Sequence, residues 1–157
     1  MVILKTNVKV KGITTKDIYD FMLNCTDEDY QKWWKGTHLQ FHTVKRYPEN
    51  LGNLIYVDEF VGKYRVKGYA VITKLVPYSE MMWQIKMKIK IPAWFIMKFN
   101  ELSDGIEILH IISAGFNGVG RIFDPLIRLI LNEDFDREVI KHAHEEFPKL
   151  AEMLLNH

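Results

Sequence analysis

Residues 81–90 read MMWQIKMKIK, and they show the clearest alternation of apolar and polar side chains in the sequence. The odd positions from Met81 to Ile89 are apolar, and the even positions from Gln84 onward are polar or basic. Successive side chains of a β-strand point to opposite faces of its sheet. The pattern therefore predicts a strand with one buried face and one hydrated face, which is typical of an antiparallel sheet.

Further strands are predicted on both sides of this one. Period-2 patterning with few helix signals indicates seven strands in all, at residues 2–10, 39–47, 53–61, 63–76, 80–91, 94–102 and 105–115. Turn signals at Val61-Gly62-Lys63 and Ser103-Asp104-Gly105 join neighbouring strands as hairpins. Strands linked by tight hairpins pair antiparallel, so we expect one seven-stranded antiparallel sheet.

Three helices are predicted around these strands. Thr14 and Thr26 each open a short helix after the first strand, because a hydroxyl side chain followed by acidic residues is a helix-start signal. The pattern of residues 123–155 predicts one long helix, with a kink at Pro148. A run of strands followed by a helix favours an α+β fold. We expect residues 1–157 to form one domain, in which the curved sheet wraps the C-terminal helix and leaves an apolar pocket.

Composition and motifs exclude several classes of function. Lys and Arg number 21 against 20 Asp and Glu, and a net charge of +1 gives no general attraction to nucleic acid. The sequence contains neither a Gly-rich phosphate-binding loop nor a G-x-S-x-G motif. Its single cysteine, Cys25, forms no intrachain disulfide, and its apolar runs are too short to span a bilayer. We expect a cytoplasmic protein with no nucleic-acid partner and no membrane span.

The order of elements resembles that of the START-like helix-grip superfamily. The resemblance rests on that order, on Trp33-Trp34 in the second short helix and on glycines 115, 118 and 120 before the C-terminal helix. This superfamily includes polyketide cyclase/dehydrase-like proteins and lipid-transfer domains. The resemblance implies a hydrophobic cavity between sheet and helix. Functions within the group vary, so the fold alone does not assign one.

Three short motifs resemble a narrower branch, which is related to diacetylphloroglucinol hydrolase. They are Trp34-(x)3-His38, Asp58-Glu59-Phe60-Val61-Gly62 and His142-Ala143-His144-Glu145-Glu146. Enzymes of that kind hold zinc with two histidines and two glutamates. The metal ligands that the resemblance implies here are His38, Glu59, His142 and Glu146. The chain is shorter than that hydrolase and its motif spacings differ, so the substrate does not transfer.

Helix periodicity bears on two of these residues directly. His142 and Glu146 are neighbours on one face of a helix, and Leu131, Phe135 and Met153 fall close to the same direction. An imidazole and a carboxylate on an apolar face need partners. A divalent cation would satisfy both, with zinc the first choice and iron or manganese as alternatives. The competing interpretation is an ordinary hydrogen-bonded pair.

The residues alone leave two orientations open for Glu59 and two candidates for the histidine ligand. Alternation with Ile55 and Val57 points Glu59 toward the core, whereas an inward Tyr56 would point it toward solvent. A bulge near Gly62 is one way to resolve this conflict. His42 is an alternative ligand to His38.

Other polar residues are candidates for proton transfer. His110 follows Ile106 and Ile108 on one strand face, where it either acts as an acid or base or is a hydrogen-bonded core residue. Tyr56 is a second candidate catalytic group. The pocket wall is predicted to contain Tyr64, Trp83, Met87, Phe95, Met97 and Phe135, each of which is equally compatible with plain core packing.

These features lead to three hypotheses. The first is a metal-dependent hydrolase acting on an aromatic or acyl-bearing hydrophobic compound, with His110 or a tyrosine assisting the leaving group. The second is a non-catalytic carrier of a lipid, quinone or aromatic metabolite. The third is a metal-free cyclase or dehydratase that uses His110. All three take a hydrophobic or aromatic small molecule as partner, and a homodimer is left open.

Overall fold

The computed structural model describes residues 1–86 and 91–156. Within these residues, seven strands form one antiparallel sheet in the order β1-β7-β6-β5-β4-β3-β2. The strands are β1 (Val2–Lys11), β2 (His38–Lys45), β3 (Leu54–Val61), β4 (Tyr64–Val76), β5 (Glu80–Lys86), β6 (Ala93–Leu102) and β7 (Gly105–Ala114). The helices are α1 (Thr15–Asn24), α2 (Asp27–Trp33), α3 (Asp124–Ile130) and α4 (Glu133–Leu155), with 3₁₀ turns at Pro48–Asn50 and Gly118–Phe123. The predicted α+β architecture, with two short helices after the first strand, is confirmed.

Both short helices begin where the sequence predicts. The Thr14 hydroxyl accepts a hydrogen bond from the backbone N–H of Asp17, and the Asp17 carboxylate accepts one from the backbone of Thr14. Thr26 and Asp29 make the same reciprocal pair at the start of α2. Such a capping box satisfies two backbone donors that a helix leaves free at its N-terminus. These caps set where α2 starts, and α2 carries residues that border the site described below.

The C-terminal segment differs from the single helix predicted for residues 123–155. The chain forms a 3₁₀ turn and α3, breaks at Leu131 and Asn132, and then forms α4. The Asn132 side chain accepts a hydrogen bond from the backbone N–H of Phe135, which is the signature of a new helix start. Pro148 lies inside α4, and the helix runs on to Leu155.

The main core lies between the inner face of the sheet and α4. The side chains that are almost completely buried there come from α1, the strands and α4: Ile18, Met81, Met97, Ile106, Ile108, Phe147 and Leu150. Among the described residues, no helix has the length and apolar content that crossing a bilayer requires. Packing of α4 on the sheet places the inward side chains of both elements in contact.

Candidate metal centre

Four side chains converge where β2, β3 and α4 meet: His38, Glu59, His142 and Glu146. Each offers one ligand atom, and these atoms all lie within 4.8 Å of one another. The Nε2 of His38 is 3.7 Å from Glu59 Oε2 and 3.6 Å from Glu146 Oε2. The Nε2 of His142 is 3.7 Å and 3.2 Å from the same two oxygens. The structure thus brings together the four residues that the resemblance implied.

The spacing of these atoms can be compared with that of a metal site. A tetrahedral zinc ion with ligand bonds of about 2.0–2.2 Å separates its ligand atoms by roughly 3.3–3.6 Å. The four nitrogen–oxygen separations of 3.2–3.7 Å span that range. These four nitrogen–oxygen separations are therefore close to those around a tetrahedral cation, and the whole donor set lies within 4.8 Å.

A β-bulge in β2 turns His38 toward the interior. The register pairs Phe41 with Val57 and Gln40 with Asp58, but the next pair is His38 with Glu59, so Leu39 is an extra residue. Directly opposed residues of an antiparallel pair project to the same face. Without the bulge, regular alternation from the buried Phe41 would turn His38 to the outer face.

The orientation of Glu59 follows from a regular β3. The β3–β4 register runs without a shift, and Ile55 lies in the main core. Asp58 points to the other face, where Arg65 donates two hydrogen bonds of 2.9 and 2.8 Å to its carboxylate. Hydrogen bonding to Arg65 lowers the pKa of Asp58. The prediction that Ile55, Val57 and Glu59 point toward the core is confirmed. The bulge at the site lies in β2, where it turns His38 to the same face, rather than near Gly62.

The helical pair lies on the buried face of α4. His142 and Glu146 are 7% and 6% exposed, whereas Lys141 and His144 on the same helix are exposed. The predicted inward orientation of the His–Glu pair is therefore confirmed. Burial of a carboxylate and two imidazoles in one cluster requires compensation within the cluster.

The two helical residues shift each other's ionisation. Burial acts to lower the pKa of His142, but the Glu146 and Glu59 carboxylates outweigh it and raise that pKa to about 10. Burial acts to raise the pKa of Glu146, but His142 and His38 outweigh it and lower that pKa to about 2. The two carboxylates thus favour a positive charge at the centre of the cluster.

None of the nitrogen–oxygen contacts in the cluster has hydrogen-bond geometry. Within the described residues, Nδ1 and Nε2 of His38 and Nε2 of His142 are buried without a hydrogen-bond partner. Buried polar atoms nearly always have partners, and an unpaired one destabilises the fold. A cation bound between the two Nε2 atoms and the two carboxylates would satisfy both Nε2 atoms.

Aromatic residues of α2 hold the ligands in place. The Tyr30 hydroxyl donates a hydrogen bond to Glu59 Oε2, and its ring stacks on His38 with centroids 4.0 Å apart and planes 5° apart. Burial and the Glu59 carboxylate raise the pKa of Tyr30 well above its ordinary value, so the hydroxyl stays a donor. The Trp34 ring, directly after α2, stacks on His142 at 4.8 Å. Tyr30 was not among the residues predicted for the site.

Replacing Tyr30 by phenylalanine is expected to weaken metal binding by about 10- to 100-fold, because partners that orient a ligand contribute that much to affinity. Competition with a coloured chelator measures the dissociation constant. Tyr19→Phe is the matched control, since Tyr19 is also buried, in α1, but packs on Tyr78 instead of the cluster. Equal affinities for the Tyr30→Phe and Tyr19→Phe proteins would show that the hydroxyl does not support the site.

Comparison with known proteins assigns the fold. No protein-family model matches the sequence, and no curated protein is similar to it. A START superfamily protein from Mycobacterium smegmatis matches with a TM-score of 0.66 at 10% identity, over 97% of this chain and 98% of its own. The chain has the START-like helix-grip fold.

Two further solved structures share this helix-grip fold. A protein from Thermus thermophilus matches with a TM-score of 0.66 at 11% identity, over 99% of this chain and 98% of its own. Major latex-like protein 151 from Panax ginseng matches with a TM-score of 0.59 at 8% identity, over 92% of this chain and 97% of its own. Identities this low establish shared architecture and leave the function to the site residues.

His110 lies on the inner face of the helix-grip sheet. It is 7% exposed, and its ring lies 4.7 Å from Phe95 and 6.1 Å from Phe147 between centroids. Burial lowers the pKa of His110, although the Glu146 and Glu59 charges act against it. Its Nδ1 has no hydrogen-bond partner among the described residues, and neither has the hydroxyl of Thr6, which is its register partner in β1. The neutral form of His110 is therefore favoured, and its Nδ1 can still form a hydrogen bond.

Tyr56 is not at this site. Its ring packs on Tyr69 at 5.2 Å and on His42 at 5.6 Å, and residues 56 and 58 of β3 both face away from Glu59. Tyr69 is 46% exposed, so this aromatic group lies on the solvent face of the sheet. The assignment of Tyr56 as a catalytic group would need this residue on the inner face of β3, and the structure places it on the outer face. His42 is likewise no substitute for His38, since its Nδ1 contacts Asp27 Oδ1 at 2.8 Å.

The residues predicted for the pocket wall divide into separate groups. Trp83 and Met97 are 3% and 1% exposed and belong to the main core, with Phe95 packed against Trp83. Tyr64 donates a hydrogen bond to Asp134 at 2.6 Å and packs on Phe135, at the start of α4. Met87 lies outside the described residues.

A recess leads from the surface to the cluster. Its volume is about 110 Å³, and its lining includes Trp34, Phe60, Glu138, Lys141, His142 and Glu145. The prediction of pocket residues missed this lining, because it comes from the residues directly after α2, from the β3–β4 turn region and from α4 positions on either side of His142. Only the pairing of these elements in the fold brings them together.

Proposed function

We propose that the protein is a metal-dependent hydrolase acting on a small aromatic or acyl-bearing compound. The observation that carries this proposal is the convergence of two buried imidazole Nε2 atoms, which lack hydrogen-bond partners, on two carboxylate oxygens. Two carboxylates balance the charge of a divalent ion, and two imidazoles complete a four-donor set once His142 releases its proton on binding. Ordinary hydrogen bonding would have left these nitrogens paired.

The donor set favours zinc, and it also suits iron or manganese. His38, Glu59, His142 and Glu146 would hold the ion. When bound, a divalent ion of this kind polarises a substrate carbonyl or lowers the pKa of a water molecule.

The chain's own residues would bind and orient the substrate. Trp34 and Phe60 offer aromatic surface in a recess of about 110 Å³, which suits a single ring or a short acyl group. Tyr30 holds the Glu59 carboxylate, and the stacked Trp34 ring holds His142. His110, a neutral imidazole, would orient the leaving group by a hydrogen bond.

Protein purified without chelators is expected to contain about one divalent ion per chain, since the four ligands form one site. Metal analysis measures this ion, and hydrolysis of p-nitrophenyl acetate, an aromatic acyl compound, follows activity. Hydrolysis should be lost after chelation and return on addition of zinc, iron or manganese. Less than about a tenth of an equivalent of metal, with no uptake on titration, would rule out the metal-dependent mechanism.

Zinc is also expected to stabilise the fold. At a free concentration of about 100 times its dissociation constant, zinc should raise the free energy of unfolding by about 2.7 kcal/mol, because it binds the folded chain only. Urea unfolding with and without zinc measures this gain. The Glu146→Gln protein serves as control, and the gain should disappear there. A zinc effect of equal size in both proteins would indicate binding elsewhere.

A carrier of a lipid, quinone or aromatic metabolite is the second candidate, and the helix-grip fold that the chain shares with a START superfamily protein favours it. This function needs no metal. Binding of a fluorescent aromatic probe distinguishes the two, because a carrier should keep its affinity for the probe in the His142→Ala protein.

A metal-free cyclase or dehydratase is the third candidate. The Nδ1 of His110 and the hydroxyl of Thr6 opposite it, both without hydrogen-bond partners among the described residues, favour it. Turnover that survives chelation and is lost in the His110→Ala protein would identify this function.

A further inference from the structure

The segment between β7 and α4 exposes an apolar surface. Six of its large apolar side chains are between 48% and 91% exposed: Val119, Ile122, Phe123, Leu126, Leu129 and Ile130. Together they amount to several hundred Å², which is as large as the surface patches that commonly mark interaction sites. We refer to these six residues as the outer stripe.

The outer stripe is one face of a continuous helical segment, made of the 3₁₀ turn Gly118–Phe123 and α3. At about 100° per residue, its six side chains fall within an arc of roughly 120°. A flanking side of the segment is already used. Ile127, about 100° around the helix from Leu126, is 2% exposed and packs with Val2, Ala93 and Ala114 at the end of the sheet. The segment is therefore anchored to the domain by one face and presents an apolar face outward.

Five of the six stripe residues are spaced symmetrically about Leu126, and Val119, seven residues before it, has Glu133 as its counterpart. Phe123 and Leu129 lie three residues before and after it, and Ile122 and Ile130 lie four residues before and after it. A two-fold interface requires a surface that complements itself when it is reversed. Two such helices packed antiparallel would place Leu126 against its own copy and Phe123 against the Leu129 of the second copy.

Charge distribution also favours a second copy over a bilayer. Arg121 and the N-terminal ammonium both contact Asp124, and Arg128 contacts Asp136, so the charges of this segment are paired within the chain. The first turn of α4, which follows directly, is acidic. Interfacial helices that bind anionic lipid instead present free basic side chains beside their apolar face.

We propose that the outer stripe is a two-fold dimer interface between two copies of this chain, centred on Leu126. Its exposed apolar area approaches the roughly 800 Å² that each partner contributes to a standard interface. The net charge of +1 opposes such pairing little. The interface is separate from the metal cluster, so each proposal can fail without the other.

Sedimentation equilibrium of the full chain tests this interface. The wild-type protein is expected to be a dimer at micromolar concentration, and Leu126→Glu should weaken the dimer at least about 100-fold, since it places two like charges on the two-fold axis. Arg121→Glu is the matched control, because Arg121 lies on the same segment but outside the stripe, and it should leave the dimer intact. A monomeric wild-type protein, or a dimer unaffected by Leu126→Glu, would overturn the proposal.

Oxidative cross-linking tests the symmetry. A Leu126→Cys protein should form a disulfide-linked dimer, because only a residue on the axis meets its own copy. Cys25 is buried and should not interfere. An Arg121→Cys protein should stay uncrosslinked. If Arg121→Cys cross-links as readily, or if the wild-type protein instead binds phosphatidylglycerol vesicles through this stripe as a monomer, the two-fold interface is wrong.

Discussion

Replacing His142 by alanine is expected to abolish metal-dependent activity and to weaken metal binding by about 100- to 1,000-fold. Zinc bound by four protein ligands contributes about 10–16 kcal/mol in small zinc domains, so one ligand accounts for about 2.5–4 kcal/mol of that total. His142 contacts both carboxylates of the cluster, at 3.7 and 3.2 Å. Its loss therefore removes one donor and leaves His38 as the only imidazole of the cluster that contacts Glu59 and Glu146.

The same helix supplies the control for this experiment. His144 lies two residues further along α4 and is exposed, so His144→Ala makes the same chemical change outside the cluster. Its metal content and activity should equal those of the wild-type protein. Metal analysis after dialysis, paired with circular dichroism, separates a lost ligand from a lost fold. A folded His142→Ala protein that keeps a full equivalent of metal would remove this residue from the site.

Glu59→Gln extends the argument to the sheet. The amide keeps the size of the side chain but loses its negative charge, so the cluster would balance one charge of the ion instead of two. We expect a loss of metal affinity of the same order as for His142→Ala, about 100-fold or more. Metal affinity that is unchanged in Glu59→Gln would indicate that His38, His142 and Glu146 suffice.

Much of the fold could be predicted because its signals are local. Alternation in residues 81–90, together with similar patterns in the other strands, predicted an antiparallel sheet. Thr14 and Thr26 marked the helix starts that the capping boxes confirm. The break at Asn132 was missed because the apolar pattern continues across it, although Asn132 followed by acidic residues is itself a helix-start signal.

The site was harder to predict because it depends on non-local geometry. Helix periodicity was enough to predict that His142 and Glu146 point inward, and strand alternation favoured the same orientation for Glu59. His38 was assigned as a ligand from the resemblance alone. Its inward orientation depends on the bulge at Leu39, which no local sequence pattern predicts. The hydrogen bond from Tyr30 to Glu59 joins residues 29 positions apart on different elements.

The residues of the cluster are polar at positions where the pattern of the helix or strand calls for apolar side chains. A buried histidine and glutamate on α4 disfavour folding unless something pairs with them. Local rules that are broken without compensation inside the chain are expected at functional positions. The sequence shows polar residues at buried positions of α4, and the structure shows that His38 and Glu59 are also polar residues that point inward.

Replacing Phe147 by alanine is expected to lower the free energy of unfolding by about 3–5 kcal/mol, because it opens a cavity in a packed core. Phe147 is 1% exposed and lies next to Glu146 on α4, with its ring centroid 6.1 Å from those of Trp33 and His110. Urea unfolding measures the loss as a lower midpoint with an unchanged dependence on urea.

Phe147→Leu is the matched variant, and it should cost about 1.5 kcal/mol or less because it nearly conserves volume. The pair of variants tests which face of α4 packs on the sheet. If Phe147→Ala also costs less than about 1 kcal/mol, the helix does not pack on the sheet through this residue, since removal of a buried phenylalanine costs more than that. The inward orientation of Glu146, one residue away, would then fail with it. A large loss of unfolding free energy in Phe147→Ala and a small one in Phe147→Leu would instead show that α4 packs on the sheet through the face that carries Phe147. His142 and Glu146 reach the cluster from that buried face.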